Sequence, residues 1–356
     1  MINEREVLKK TARDVISSFL HSRTCFDLVR SSGKVVVFET NIPIQLAFYA
    51  LLEHEMAAAP LWDSCRREFV GLMTITDFID VLRYYHDARG RSGAAIEVLA
   101  SRSIAQVLAD PGSGSRFKHA TEAAARQGCE FDDDSGALPP PPPRDAVDPS
   151  KRVGDYGDLV SCDADCSLFE AVAKMARHKR RFLPIVAADE CAVLAVATHV
   201  DILHFFVSTF RDERRGLFDQ PVAELGIGTF VDVATVSRET PLRDVLRLLE
   251  ARDLSAVPVV DEAGRVMALY GRGDITFLAT ATDADSVVAN LATVVGDVLR
   301  QRRADEPLHT CSPQASLQYV FELFNEVKFR RLICLDDESR PVGVISPRDL
   351  LGYFLR

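Results

Sequence analysis

Residues 71–78 read GLMTITDF: an apolar, strand-like run, two threonines, then Asp77 ahead of a new apolar stretch. An aspartate between strand and helix is ordinarily an N-cap, accepting backbone N–H groups that the first helical turn cannot satisfy. The same residue can also face a ligand. A single copy of the pattern does not separate the two roles.

Self-similarity along the chain supplies three more copies. Related segments run over 42–78, 167–202, 241–275 and 316–350. Each opens with helical spacing of apolar residues, as in Leu242, Val245, Leu246 and Leu249. A short apolar strand follows (APLW, LPIV, VPVV or LICL), then a polar turn and a second apolar strand. That strand ends at an aspartate that opens another helix. Ile44 to Asp77 and Leu168 to Asp201 each span 33 positions, and Leu242 to Asp274 and Leu317 to Asp349 each span 32. Asp77, Asp201, Asp274 and Asp349 are therefore equivalent.

A helix–strand–strand–helix unit of about 60 residues is too small to bury both of its faces alone. The units are expected to pair, and four units make two pairs, an α+β architecture shaped as a flattened disc. The boundaries implied are 1–24 for an N-terminal helical segment, 25–90 for the first unit and 91–110 for a helical linker. An insertion follows at 111–150, and the remaining units occupy 151–214, 215–285 and 286–356. The insertion carries GSGS (112–115), EFDDDSG (130–136) and five prolines (139–143), a composition that cannot build a core. Disorder is expected there, and the proline run could also serve as a docking peptide.

Charge and composition narrow the function. A net charge of −10 and a pI near 5.4 argue against general binding to nucleic acid or anionic membrane. Any anionic ligand must then meet a local basic cluster. No apolar run approaches the roughly 20 residues of a membrane span, and MINEREVLKK lacks the apolar core of a signal peptide. The eight cysteines include no CxxC, and the closest pair is Cys162 and Cys166. This spacing argues against zinc ligation or a disulfide framework and fits a reducing cytosol. The cytoplasm is the expected compartment, with the nucleus as a second one. No P-loop, G-x-S-x-G, HExxH or paired metal ligands occur, and His178, His199 and His204 lack metal-site spacing, so no catalysis and no cofactor are expected.

The ending G-h-h-[ST]-x-x-D-h, with h any apolar residue, resembles that of the cystathionine-beta-synthase (CBS) domain. GLMTITDF and GVISPRDL match it closely, AVATHVDI has alanine for glycine, and ALYGRGDI has Gly271 where a hydroxyl is expected. Four such units, with CFDLV (25–29), VVVFET (35–40), APLWDS (59–64), ELGIGTF (224–230) and SAVPVVDEAGRV (255–266), resemble the gamma subunit of the AMP-activated protein kinase family.

The resemblance implies a regulatory, non-catalytic subunit of a heterotrimeric serine/threonine kinase, partnered by a catalytic alpha and a scaffold beta subunit. Its regulatory ligands would be AMP, ADP and ATP, bound in clefts between repeats. Aspartates would accept from ribose hydroxyls; basic residues and turn hydroxyls would hold phosphate, chemistry consistent with a two-oxygen acceptor and a donor-rich helix N-terminus. The positions implied are Thr74, Thr76, Asp77, Arg181, Thr198, Asp201, Thr229, Asp274, Arg330, Arg331, Ser346 and Asp349.

Departures from the family pattern temper that implication. At the basic pair before the first strand, the fourth unit keeps Arg330 and Arg331, the second has Arg181 and Phe182 with Arg180 beside them, and the third is aligned at Arg252 and Asp253. The first has Ala57, and Val200 stands where a lysine is expected. Asp77 is then expected in a cleft short of phosphate ligands, and the better site lies around Asp349 or Asp274 with Arg330 and Arg331. The alternative is a constitutive scaffold subunit with weak or no nucleotide binding. Residues 1–24 suggest an amphipathic helix that either caps this protein's own core or leads toward a beta subunit.

Overall fold

The computed structural model describes residues 4–29, 35–54, 56–88, 101–110, 159–187, 192–211, 216–272, 274, 292–300, 307–326 and 330–355. The proline-rich insertion at 111–150 and the helix expected after Asp274 lie outside them.

Each segment folds as anticipated into one small sheet. The first unit contains β1 (Phe38–Glu39), α2 (Ile44–Glu53), β2 (Ala58–Asp63), β3 (Glu68–Thr74) and α3 (Ile75–Ala88), after the N-terminal α1 (Glu4–Ser22). A further helix, α4 (Ile104–Ala109), precedes the second unit, which is β4 (Cys162–Asp163), α5 (Leu168–Arg177), β5 (Phe182–Ala187), β6 (Ala192–Thr198) and α6 (His199–Thr209). The third has β7 (Val236–Ser237), α7 (Leu242–Ala251), β8 (Ala256–Val260) and β9 (Val266–Gly271). After α8 (Val295–Arg300), the fourth has β10 (Thr310–Cys311), α9 (Leu317–Glu326), β11 (Leu332–Leu335), β12 (Pro341–Ile345) and α10 (Pro347–Phe354).

In every sheet the first strand pairs parallel with the second, across the helix, and the second pairs antiparallel with the third. The apolar stripe of α7 is fully used: Leu242, Val245, Leu246 and Leu249 are all buried. Left-handed residues fit the hairpin turns. Gly264, at φ +80°, turns β8 into β9, and Asp261 closes that turn by accepting from the Ala263 and Arg265 N–H groups.

The units close into a ring by two kinds of contact. One apolar core runs through the first and third units, joining Ile44, Phe48 and Ile79 to Leu242, Leu249 and Tyr270. A second runs through the second and fourth, joining Leu168, Leu183 and Phe206 to Leu317, Phe321 and Phe354. Helix α1 completes this second core with Ala12, Ile16 and Leu20, and its Arg13 guanidinium lies 4.2 Å over the Tyr353 ring. Of the two roles open for this helix, the structure shows it capping the protein's own core.

The other contacts are exchanged lead-ins. The segment entering each unit docks on the partner unit of its pair. Thr24 bridges to Ser167 of the second unit, and Ser103, which caps α4, bridges to Pro43 of the first. Likewise Pro221 bridges to Ser316, and Val294 to Pro241. Backbone bonds extend each bridge, such as Leu168 N–H to Arg23 O (2.8 Å) and Leu242 N–H to Thr293 O (2.9 Å). Residues 104–109, at the end of the stretch expected to link, thus build the first unit's core through Ile104, Val107 and Leu108. No helix of the described residues is long and apolar enough to cross a membrane.

Candidate nucleotide-binding site

Three of the four equivalent aspartates form one device. Asp77 Oδ2 accepts the Thr74 backbone N–H (2.9 Å) and hydroxyl (2.7 Å), and the Asp77 N–H returns to Thr74 Oγ1 (3.1 Å). Asp201 repeats this with Thr198 at 3.0, 2.6 and 3.2 Å, and Asp349 with Ser346 at 2.9, 2.6 and 3.4 Å. These are capping boxes with aspartate at the third helical position. In the third unit Gly271 has no hydroxyl, and its N–H alone meets Asp274 Oδ2 at 2.6 Å.

The cap and ligand roles therefore divide within one carboxylate. Oδ2 is spent on the helix start, which leaves Oδ1 as the atom that can accept from a ribose diol. For Asp349 and Asp201 that oxygen has no hydrogen bond among the described residues. The hydroxyls of Thr74, Thr198 and Ser346 already donate to carboxylate. Expected as phosphate donors, they are held as cap donors instead. Asp77 is 1% exposed, whereas Asp201, Asp274 and Asp349 remain partly exposed.

The positive charge comes from several units at once. Burial lowers the pKa of Arg331 to about 10, and Arg181, Arg330 and Arg348 add repulsion that Asp349 partly offsets. Arg181 is pushed down by burial, then by Arg272 and Arg348, against the attraction of Asp253 and Asp77. Burial also lowers Arg180, and Asp77 opposes that shift. At the first position of α6 sits His199, 8% exposed. Burial, then Arg348, Arg331 and Arg181, lower its pKa to about 3, so it is neutral. Mutually repelling arginines around a neutral histidine make a concentrated electropositive site, suited to a multiply charged anion.

Asp77, expected in a cleft short of phosphate ligands because of Ala57, lies within electrostatic range of Arg180 and Arg181 of the second unit. In the third unit, strand register places the basic-pair positions at Ser255 and Ala256, not at the expected Arg252 and Asp253. Ala256 opposes Gly271 as Phe182 opposes Thr198, and Arg331 immediately precedes Leu332, which opposes Ile345. Arg252 caps the end of α7 and pairs instead with Asp232 (2.7 Å), while Asp253, at φ +50°, meets Arg181 at 3.3 Å.

The remaining expected residues fall on both sides of the ring. Thr229 lies against β12, exchanging backbone bonds of 2.9 and 3.0 Å with Val344, two residues before Ser346. Thr76 is half-buried in the first turn of α3, one residue before Asp77. Arg348 is a further basic residue of the site, and its sequence signal is that it occupies in S-P-R-D the slot that Val200 occupies in T-H-V-D. Arg272 follows the last strand of the third unit. It is buried and bonded to Asp80 (3.5 Å) and to the carbonyls of Leu254 (2.9 Å) and Leu249 (3.0 Å), so it ties the third unit to the first. No cluster of three or more metal-ligating side chains occurs among the described residues.

Comparison with known proteins agrees with the repeat. The CBS domain family model matches residues 153–208, 227–279 and 295–356. The chain is 30% identical over 357 residues to the "5'-AMP-activated protein kinase subunit gamma" of Dictyostelium discoideum, covering 99% of this chain and 55% of that one. It is 31% identical over 348 residues to subunit gamma-3 of Homo sapiens, covering 97% of this chain and 61% of that one. The chain thus spans somewhat over half the length of these curated relatives. A Methanocaldococcus jannaschii protein, proposed as an archaeal homolog of g-AMPK, superposes with a TM-score of 0.65 at 14% identity, covering 93% of this chain and 99% of that one.

Proposed function

The chain is a CBS-repeat protein related to the gamma subunits of the 5'-AMP-activated protein kinase, and from that premise we propose that it is the non-catalytic, nucleotide-sensing subunit of a heterotrimeric serine/threonine kinase. The catalytic alpha and scaffold beta subunits are its proposed partners. AMP, ADP and ATP are its proposed ligands. The observation that carries this reading is the convergence of Arg181, Arg331, Arg348 and His199 between capped aspartates of the first and fourth units.

The proposed site uses Asp349 Oδ1 for ribose and Arg331, Arg181 and Arg348 for phosphate. Asp77 with Arg180 forms the corresponding pair on the opposite side. A phosphate here replaces arginine–arginine repulsion with charge-assisted bonds. A ligand that does so better in one arrangement of the ring than in another biases an attached kinase by that difference. The third unit contributes least, because Ser255 and Ala256 stand at its basic-pair positions and Arg272 is committed to Asp80.

Isothermal titration of the full chain with AMP, ADP and ATP tests the reading. Heat saturating at micromolar to submillimolar nucleotide is expected. No heat at millimolar nucleotide would leave the constitutive scaffold as the correct description.

A further inference from the structure

We propose that Cys311 and Cys334 are an oxidisable dithiol in the fourth unit, a modification site that closes to a disulfide and reopens on reduction. The two residues are direct partners in the parallel pairing of β10 with β11, and their sulfurs lie 3.5 Å apart. Adjacent strands run about 4.8 Å apart, inside the Cα separation of about 4.4–6.8 Å that a disulfide requires. Closing the bond brings the sulfurs together by about 1.5 Å, to roughly 2.05 Å, through side-chain torsions and without moving the strands.

Exposure assigns the roles. Cys334 is 0% exposed, whereas Cys311 is partly open to solvent. The contact between the two sulfurs lowers the Cys311 pKa against the effect of burial, and the same contact with burial raises that of Cys334. Cys311 is thus the thiolate that meets an oxidant, and Cys334 is the resolving thiol.

With a hydroperoxide such as hydrogen peroxide the step balances. Cys311 sulfur attacks one peroxide oxygen, the O–O bond breaks, and Cys311 sulfenic acid and water result. Cys334 sulfur then attacks the Cys311 sulfur, the S–S bond forms, and the sulfenic oxygen leaves as a second water with the Cys334 proton. Two thiols have given two electrons to one peroxide. A small dithiol reverses the bond by exchange.

The partners are 23 positions apart in the chain, so the bond encloses α9 between two strands of one sheet. It also clamps β11, whose first residue follows Arg331 directly. The chemistry does not depend on nucleotide binding.

The test treats the full chain with equimolar hydrogen peroxide, alkylates free thiols and maps peptides without reduction. A Cys311–Cys334 linked peptide is expected, lost after dithiothreitol, together with a rise in Tm of roughly 5 °C on oxidation. In Cys334→Ala, dimedone is expected to label Cys311, trapping the sulfenic acid. The proposal is overturned if both thiols stay alkylated while other cysteines oxidise, if linkage forms within Cys25, Cys162 and Cys166 instead, or if dimedone leaves Cys311 of Cys334→Ala unlabelled.

Discussion

Arg331 holds a positive charge in a partly buried place, beside Arg181, Arg330 and Arg348, and among the described residues Asp349 offsets it. A bound anion would relieve the repulsion among these arginines. Replacing the arginine in Arg331→Ala is expected to weaken AMP at least tenfold, the equivalent of one charge-assisted hydrogen bond of about 1.5–3 kcal/mol. The unliganded variant should melt no lower than the parent, because repulsion has been relieved, and calorimetry with a thermal melt reads both. His199 gives a pH dependence of definite sign. Its pKa falls from 6.5 to about 3 on folding, so the unfolded chain binds a proton that the folded chain refuses. The stability this contributes is complete above about pH 6.5 and is lost as pH falls toward 3, at up to about 1.4 kcal/mol per pH unit. Urea unfolding at pH 7 and pH 5 should show a larger acid loss for the parent than for His199→Gln. Saturating AMP should shrink that loss in the parent, since phosphate offsets the surrounding arginines.

At the scale of the element, helix α10 starts on Ser346 and Asp349 together, and their ligand and capping roles can be separated. Ser346→Ala removes the hydroxyl and should cost about 1 kcal/mol in denaturant unfolding, with AMP affinity little changed. Asp349→Ala removes the cap and the ribose acceptor, so its affinity should fall well beyond that of Ser346→Ala. Equal affinities in the two variants would place the ribose elsewhere. These elements are legible in the sequence because their signals are local: the helical stripe of Leu242 to Leu249, the strand VPVV and the cap spacing from Ser346 to Asp349 are each contained in a single unit. What could not be read was whatever depends on two units. Arg180 and Arg181 lie within electrostatic range of Asp77 across a unit boundary, which a position-by-position comparison of the repeats, meeting Ala57 there, does not reveal. The misplaced pair at Arg252 and Asp253 has a different origin. Its register is set by backbone pairing of Ala256 with Gly271, and the sequence of the preceding turn does not reveal it.

Across the whole molecule, the buried Arg272–Asp80 pair joins the third unit to the first, at 8% and 4% side-chain exposure. Removing one partner strands the other in the core, so Asp80→Ala should cost about 3–5 kcal/mol by denaturant unfolding, and Arg272→Met in the same chain should restore much of it. A double variant as unstable as the single one would show that the pair is not the coupling element. The exchanged lead-ins carry a different consequence. Thr24 rests on Ser167 while Ser103 rests on Pro43, and Pro221 rests on Ser316 while Val294 rests on Pro241. A cut between any unit and its companion therefore separates at least one lead-in from the unit it docks on, whereas a cut at 212–215 leaves each exchange whole. Two polypeptides divided there and produced together should reassemble by their apolar faces into a particle the size of the parent, measurable by light scattering. Polypeptides divided within 111–150 keep the Ser103 contact with Pro43 in one piece, and should reassemble by restoring the Thr24 contact with Ser167 across the break together with the apolar core of the first and third units. The indivisible building block of this protein is thus a doublet, and duplication of a doublet is the shortest route by which such a chain could have grown.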